Sequence, residues 1–242
     1  MQELVSRYAA LFPPLEISRA DGLLCAGGDL HPARLLAAYS LGIFPWYSSG
    51  MPILWWSPNP RCIMPLDAFR LPARSARALR NKPFHLTLDA AFGRVIRACA
   101  EPREPGGGTW ISPAILAAYE HLYELGFVHS VEAWRDGELV GGLYGVALGR
   151  AFFGESMFCR VAEASRAALA GLVTLLRQRG ACLLDCQQET PHMLRMGARL
   201  VQREDFLRQL RAALMGEGWH DWQQSWGCYD YSASSGSWAS RS

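Results

Sequence analysis

Lysine is almost missing from this chain. Lys82 is the single example among 24 Lys and Arg residues, so arginine carries the positive charge. Against 22 Asp and Glu the formal net charge is only +2, which excludes a globally basic nucleic-acid binder; any basic footprint must be local. The seven cysteines (25, 62, 99, 159, 182, 186 and 228) include no C-x-x-C pair, and the six histidines form no H-E-x-x-H or paired Cys/His spacing. These absences remove the common zinc signatures and favour free thiols in a reducing compartment over a disulfide framework. No P-loop is present. No run approaches the roughly 18 apolar residues of a membrane span, and MQELVSRYAALFPPLE lacks the apolar core of a signal peptide. The expectation is a soluble cytoplasmic protein without a membrane segment.

What is present is apolar and aromatic. At 242 residues, 50% hydrophobic and 11% aromatic, the chain can bury a substantial core. Its organising stretch runs from Phe127 to Gln187. The first half alternates apolar and polar residues around Asp136-Gly137, which predicts a type I′ hairpin. A break at 147–150 starts a third strand, Ala151 to Met157. A helix follows, with Ala164, Ala168, Leu172, Leu175 and Leu176 near 3.6-residue spacing, and Gly180 stops it. Cys182-Leu183-Leu184 then returns as a strand. A meander, a helix and a returning strand make a mixed α/β (α+β) layer with Glu155, Asp185 and Gln187 at strand ends.

Upstream, Pro32 opens a helix carrying Leu35, Leu36 and Tyr39 that ends at Gly42. The segment GIFPWYSSGMPILWWSPNPRC then packs Phe44, Trp46, Tyr47, Trp55 and Trp56 among prolines. It reads first as a proline-braced aromatic minicore and, more sharply, as a platform for a base or an apolar side chain. Arg74, Arg77 and Arg80 share a helical face with no acid between them, which suits either solvent or a phosphate backbone. One helix contains Phe92, Val95 and Ile96; another has Ser112 as N-cap, Pro113 at its first position, and ends at Gly126. Between them a glycine-rich, flexible loop at 104–108 precedes Trp110, either a mobile lid or an anchoring plug.

GGDL at 27–30, GIFPWY at 42–47, PILWWSPNPR at 52–61, GTWI at 108–111, HSVE at 129–132, LVGGLYGV at 139–146, GESMF at 154–158 and LLDCQ at 183–187 occur in that order. Together they resemble the leucyl/phenylalanyl-tRNA–protein transferase family over roughly residues 10 to 210. Asn59, Ala73, Cys159 and Arg166 depart from the residues usual in that family. The resemblance implies a bacterial enzyme that moves leucine or phenylalanine from aminoacyl-tRNA to proteins with N-terminal Arg or Lys, marking them for N-end-rule degradation. It also implies a GCN5-related N-acetyltransferase-like sheet. The division expected is a small N-terminal α+β domain at 1–62, a catalytic domain at 63–215, and a Trp/Ser-rich, partly disordered tail at 216–242. The chain is expected to act as a monomer.

An aminoacyl ester is already activated, so no cofactor, metal or ATP is expected. An α-amine with a pKa of about 7.7–8.0 supplies a neutral nucleophile near pH 7. By resemblance Asp185 and Gln187 would orient the amine, take its proton and polarise the ester. Glu155 would hold the cationic acceptor or the terminal adenosine. Trp46, Trp110, Tyr119, Leu143, Phe152, Met157 and Leu184 would receive the donor side chain and adenosine. Arg74, Arg77, Arg80 and Lys82 would meet the tRNA acceptor stem. Two rival readings remain: a coenzyme-A-dependent N-acetyltransferase, and a non-catalytic tRNA-binding module. The first needs a Gly-rich pyrophosphate loop where Glu163 stands.

Overall fold

The computed structural model describes residues 1–82, 84–102 and 109–215 in full, and the backbone alone of 229–232 and 237–240. Helix α1 (Gln2–Ala9) precedes strand β1 (Leu23–Ala26) and helix α2 (Pro32–Ser40). The His31 ring caps α2 by accepting from Ala33 N, and Pro32 occupies its first turn as predicted. Strands β2 (Phe44–Pro45) and β3 (Leu54–Trp56) join β1 in a small antiparallel sheet ordered β1-β3-β2.

Strand β4 (Arg61–Ile63), helix α3 (Ala73–Asn81), strand β5 (His85–Leu88) and helices α4 (Phe92–Ala100) and α5 (Pro113–Glu124) lead into the organising stretch. That stretch forms β6 (Val128–Arg135), β7 (Glu138–Leu148), β8 (Ala151–Cys159), α6 (Ala164–Gln178) and β9 (Leu183–Gln187). Helix α7 (Pro191–Arg195), strand β10 (Arg199–Val201), helix α8 (Arg203–Met215) and strands β11 (Tyr229–Ser232) and β12 (Ser237–Ser240) complete the order. The large sheet runs β10-β4-β9-β8-β7-β6-β5-β11-β12. Every pairing in it is antiparallel except β8 with β9, so the expected mixed α/β sheet is present.

Local chemistry explains the central hairpin. Asp136 and Gly137 both take positive φ, 52° and 80°, as a type I′ turn requires, so β6 and β7 pair along their lengths. Alternation then splits the core between the two faces of the sheet. Tyr144, Phe153 and Leu183 point to one face with α2, α4 and α5; Leu143, Phe152 and Leu184 point to the other with α6. Each fully buried Leu or Phe contributes about 1.5–3 kcal/mol, so both faces fix the register. Gly141 allows α6 to close on β7: a Cβ there would lie 2.5 Å from Ala164 Cβ.

The third strand of the meander runs beyond its expected end, to Cys159, and the returning strand carries Asp185 and Gln187 as expected. Residue 62, expected to end the N-terminal unit, lies inside β4, which pairs with β9 and β10 of the large sheet. In the tail, β11 pairs with β5 and with β12. The rest of 216–242 and the loop at 104–108, both read as partly disordered or flexible, lie outside the described residues. Among the described residues, no helix is long and apolar enough to cross a membrane.

Candidate active site

Strands β8 and β9 are paired only through Ala151–Phe153 and Leu183–Asp185. Past that point no ladder joins them, and a cavity of about 720 Å³ occupies the opening, bordered by Gly154 to Cys159 on one side and by Leu184 to Cys186 on the other. The gap therefore comes from the early end of a parallel ladder. Two irregularities aim polar groups at it. The β7–β8 register shifts between Tyr144/Gly145, leaving Glu155 unpaired between Gly154 and Ser156. The β4–β9 register shifts between Cys62/Ile63, and Gln187 takes a positive φ of 61°.

A hydrogen-bonded chain links these groups. Gln187 Nε2 donates to Glu155 Oε1 at 2.8 Å, and the Tyr119 hydroxyl donates to Glu155 Oε2 at 3.1 Å. Tyr39 bonds Tyr119 from behind. Burial, with Glu155 nearby, holds both tyrosine hydroxyls well above their usual pKa, so they are neutral donors. Burial also pushes the Glu155 carboxyl up to about 7, although the hydrogen bonds from Tyr39, Tyr119 and Gln187 favour its charged form.

Asp185 is engaged differently. It is 0% exposed, and Arg61 grips it bidentately, Nε to Oδ1 at 2.9 Å and Nη2 to Oδ2 at 2.6 Å. Its Oδ1 also accepts from Gln187 N at 2.8 Å. The Arg61 guanidinium lies 4.8 Å from the Phe44 ring centroid and 4.6 Å from that of Phe206, and donates to Gly42 O. Asp185 thus fixes the backbone of Gln187 and presents no free oxygen.

A second, open cleft of about 1310 Å³ meets the first cavity at Glu155, Ser156, Trp110, Cys99 and Cys186. Gln187 and the 41%-exposed Trp46 border the cleft. Trp46 tilts against Trp56 at 5.7 Å between centroids, and Trp56 Nε1 donates to Trp46 O at 2.6 Å.

The sequence profile described as leucyl/phenylalanyl-tRNA protein transferase matches residues 63–211, and the profile for that protein's N-terminal domain matches 28–59. The chain belongs to this family. The leucyl/phenylalanyl-tRNA–protein transferase of Azoarcus sp. (strain BH72) is 57% identical over 197 residues, covering 81% of this chain and 84% of its own length. That of Nitratidesulfovibrio vulgaris (strain DP4) is 55% identical over 206 residues, covering 85% and 88%. Among solved structures, a GCN5-related glucosamine N-acetyltransferase region of a fungal multidomain protein superposes with a TM-score of 0.41 at 14% identity, over 60% of this chain and 20% of that one.

Of the residues expected at this family member's site, Leu143, Met157 and Leu184 line the apolar cavity, joined by Leu169, Leu172 and Met193. Trp110 borders both cavities. Phe152 pairs with Leu184 inside the ladder, and its ring is fully buried in the core on the α6 face, behind the cavity-lining residues. Tyr119 is fully buried too and reaches the site through its hydroxyl on Glu155. Arg74, Arg77, Arg80 and Lys82 are exposed on and just beyond α3. The start of α3 lies against the start of α6, where Ser75 bonds Glu163. Glu163 caps α6 in a left-handed conformation and pairs with Arg166 at 2.8 Å. Arg61 and the Tyr39 hydroxyl went unremarked in the sequence. Arg61 had a signal, a lone charge between Pro60 and an apolar run; Tyr39 and Tyr119 lie 80 positions apart and had none.

Proposed function

We propose that this family member transfers leucine or phenylalanine from aminoacyl-tRNA to the N-terminal Arg or Lys of acceptor proteins. In this reading it acts as a cytoplasmic monomer, and its product is marked for N-end-rule degradation. The observation that carries the reading is the meeting of two open cavities at Glu155, beside Gln187, one with Leu143, Met157, Leu172 and Leu184 in its wall and the other with the aromatic rings of Trp46 and Trp56. The cavity suits a leucine or phenylalanine side chain, and the cleft suits the end of a polypeptide. Preference for these over valine then rests on cavity depth, about 1–3 kcal/mol per methylene.

The acceptor α-amine approaches from the cleft. Gln187 has its amide nitrogen committed to Glu155, so its carbonyl oxygen is the group left to receive an N–H of the amine. The amine nitrogen attacks the ester carbonyl carbon, the C–O bond to the tRNA ribose breaks, and the ribose oxygen leaves with a proton. Glu155, with a pKa near working pH, takes the proton that the amine loses and hands it to the departing ribose oxygen. Asp185 and Arg61 act as positioning residues for Gln187 rather than as the base. Exposed arginines on α3 provide sequence-independent phosphate contacts. Glu163 disfavours coenzyme A, since its carboxylate occupies the helix start where a pyrophosphate would bind.

Three arms test the reading: labelled leucyl-tRNA with an Arg-initiated peptide, the same peptide with acetyl-CoA, and tRNA retention alone. Label transferred from leucyl-tRNA to the peptide is expected. Acetylation of the peptide, or retention without transfer, overturns the assignment.

A further inference from the structure

The polar groups around Gln187 and Glu155 leave the ester carbonyl short of donors. Asp185 and ionised Glu155 only accept hydrogen bonds, and one of the two Gln187 amide N–H groups is used on Glu155. At most one N–H of Gln187 is left among the three for the ester carbonyl, which becomes an oxyanion once the amine adds.

Tyr144 carries an unused donor in the wall behind the β8–β9 opening. It lies in the middle of β7, opposite Ser156 and next to the irregularity that turns Glu155 inward. It borders the apolar cavity together with Cys99, Trp110 and Glu155. Its ring is locked edge-on against Tyr119 at 5.8 Å and Phe92 at 5.9 Å between centroids. The side chain is fully buried, yet its hydroxyl has no hydrogen-bond partner among the described residues. The nearby tyrosines differ: Tyr39 bonds Tyr119, Tyr119 bonds Glu155, and Tyr123 donates to Asp89 O. A buried hydroxyl without a partner destabilises the free protein, and phenylalanine would fill the same space without that penalty. Burial and the Glu155 charge keep the phenol well above its ordinary pKa, so it stays protonated and able to donate.

We infer that Tyr144 is a catalytic residue whose hydroxyl hydrogen-bonds the carbonyl oxygen of the aminoacyl ester. The inference rests on the acyl-transfer reading above. As the amine nitrogen bonds to the carbonyl carbon, the π pair moves onto that oxygen and Tyr144 Oη–H holds the resulting oxyanion. Collapse re-forms the C=O bond and expels the ribose oxygen, which leaves with the proton released by the amine. Tyr144 is neither consumed nor deprotonated.

The test is Tyr144→Phe, which deletes one oxygen. Three quantities are measured on the full chain: kcat for transfer from leucyl-tRNA to an Arg-initiated peptide, KM for that peptide, and the melting temperature. Expected is a kcat lower by about 100- to 1000-fold, the usual consequence of losing one oxyanion donor, with KM unchanged and the melting temperature equal or higher. Undiminished kcat overturns the assignment. So does a kcat loss accompanied by a lower melting temperature, because the hydroxyl would then be structural. Wild-type protein that transfers nothing overturns the acyl-transfer reading and this inference with it; wild-type transfer with undiminished Y144F overturns the inference alone.

Discussion

Asp185 and Gln187 stand two positions apart on β9, but burial separates what their loss would do. Asp185→Asn removes the charge that balances a fully buried Arg61. Leaving one member of a buried pair uncompensated costs roughly 3–5 kcal/mol, so D185N is expected to lose that much in denaturant unfolding as well as losing transfer. Gln187 is half-buried and its side chain bonds only Glu155 among the described residues. Gln187→Ala is expected to cost under about 1 kcal/mol of stability while lowering kcat strongly. Equal loss of stability in both variants would refute the division between positioning and chemistry. Glu155 gives a separate readout. Transfer needs its carboxylate form, so activity is expected to rise with pH through about 7 and again as the acceptor amine deprotonates near 7.7–8.0. In Glu155→Gln the lower limb vanishes and the amine limb stays, at reduced kcat. A pH–rate profile for E155Q with the lower limb intact would remove Glu155 as the base.

Among elements, α3 has the clearest electrostatic consequence. Arg74, Arg77 and Arg80 lie exposed along its length, and Arg80 sits in its last turn. If each meets a phosphate, replacing one by Ala weakens tRNA binding uniformly across tRNA sequences and makes log K against log salt shallower by about one. An unchanged slope would leave these arginines merely solvated. Where local chemistry decides an element, the sequence was enough: Asp136-Gly137 set the hairpin, Ser112-Pro113 opened α5, and Pro32 with Gly42 bounded α2. The residue types of the site were legible too, since LLDCQ and GESMF carry Asp185, Gln187 and Glu155. Long-range pairing was not. Nothing local states that β4 will lie beside β9 and bring Arg61 onto Asp185, 124 positions away. Nor does period two reveal where the β8–β9 ladder stops, which turns Phe152 into core and leaves Met157 on the cavity.

At the scale of the whole molecule, Glu155 is not the only carboxyl raised by burial. Glu132 on β6 is 0% exposed and receives Ser130 Oγ at 2.5 Å, Thr87 Oγ1 at 2.5 Å and Ala90 N at 3.2 Å. Trp134 Nε1 in turn donates to Thr87 Oγ1 at 2.8 Å, so the carboxyl ties β5 to β6 beneath the sheet. Burial pushes its pKa from 4.5 up to about 7; the hydrogen bonds resist, and nearby Asp89 adds to the rise. The sign follows from proton counting. Between those two values the folded chain holds a proton that the unfolded chain has released, so stability falls as pH rises through the window and is level above it. The penalty above pH 7 is roughly 3 kcal/mol. Glu132→Gln preserves an acceptor for Ala90 N and Thr87 and gives Ser130 a donor, but it cannot ionise. Relative to wild type, E132Q is therefore expected to gain roughly 3 kcal/mol more at pH 8 than at pH 5, at about 2–4 °C of melting temperature per kcal/mol for a chain of this length. Glu132 lies on β6, one strand away from cavity-lining β7, and does not itself border the cavity, so transfer at pH 8 should stay near wild type. Parallel melting curves for the two proteins at both pH values would show that Glu132 does not titrate with folding, and would place the acid–alkaline dependence of stability elsewhere in the chain.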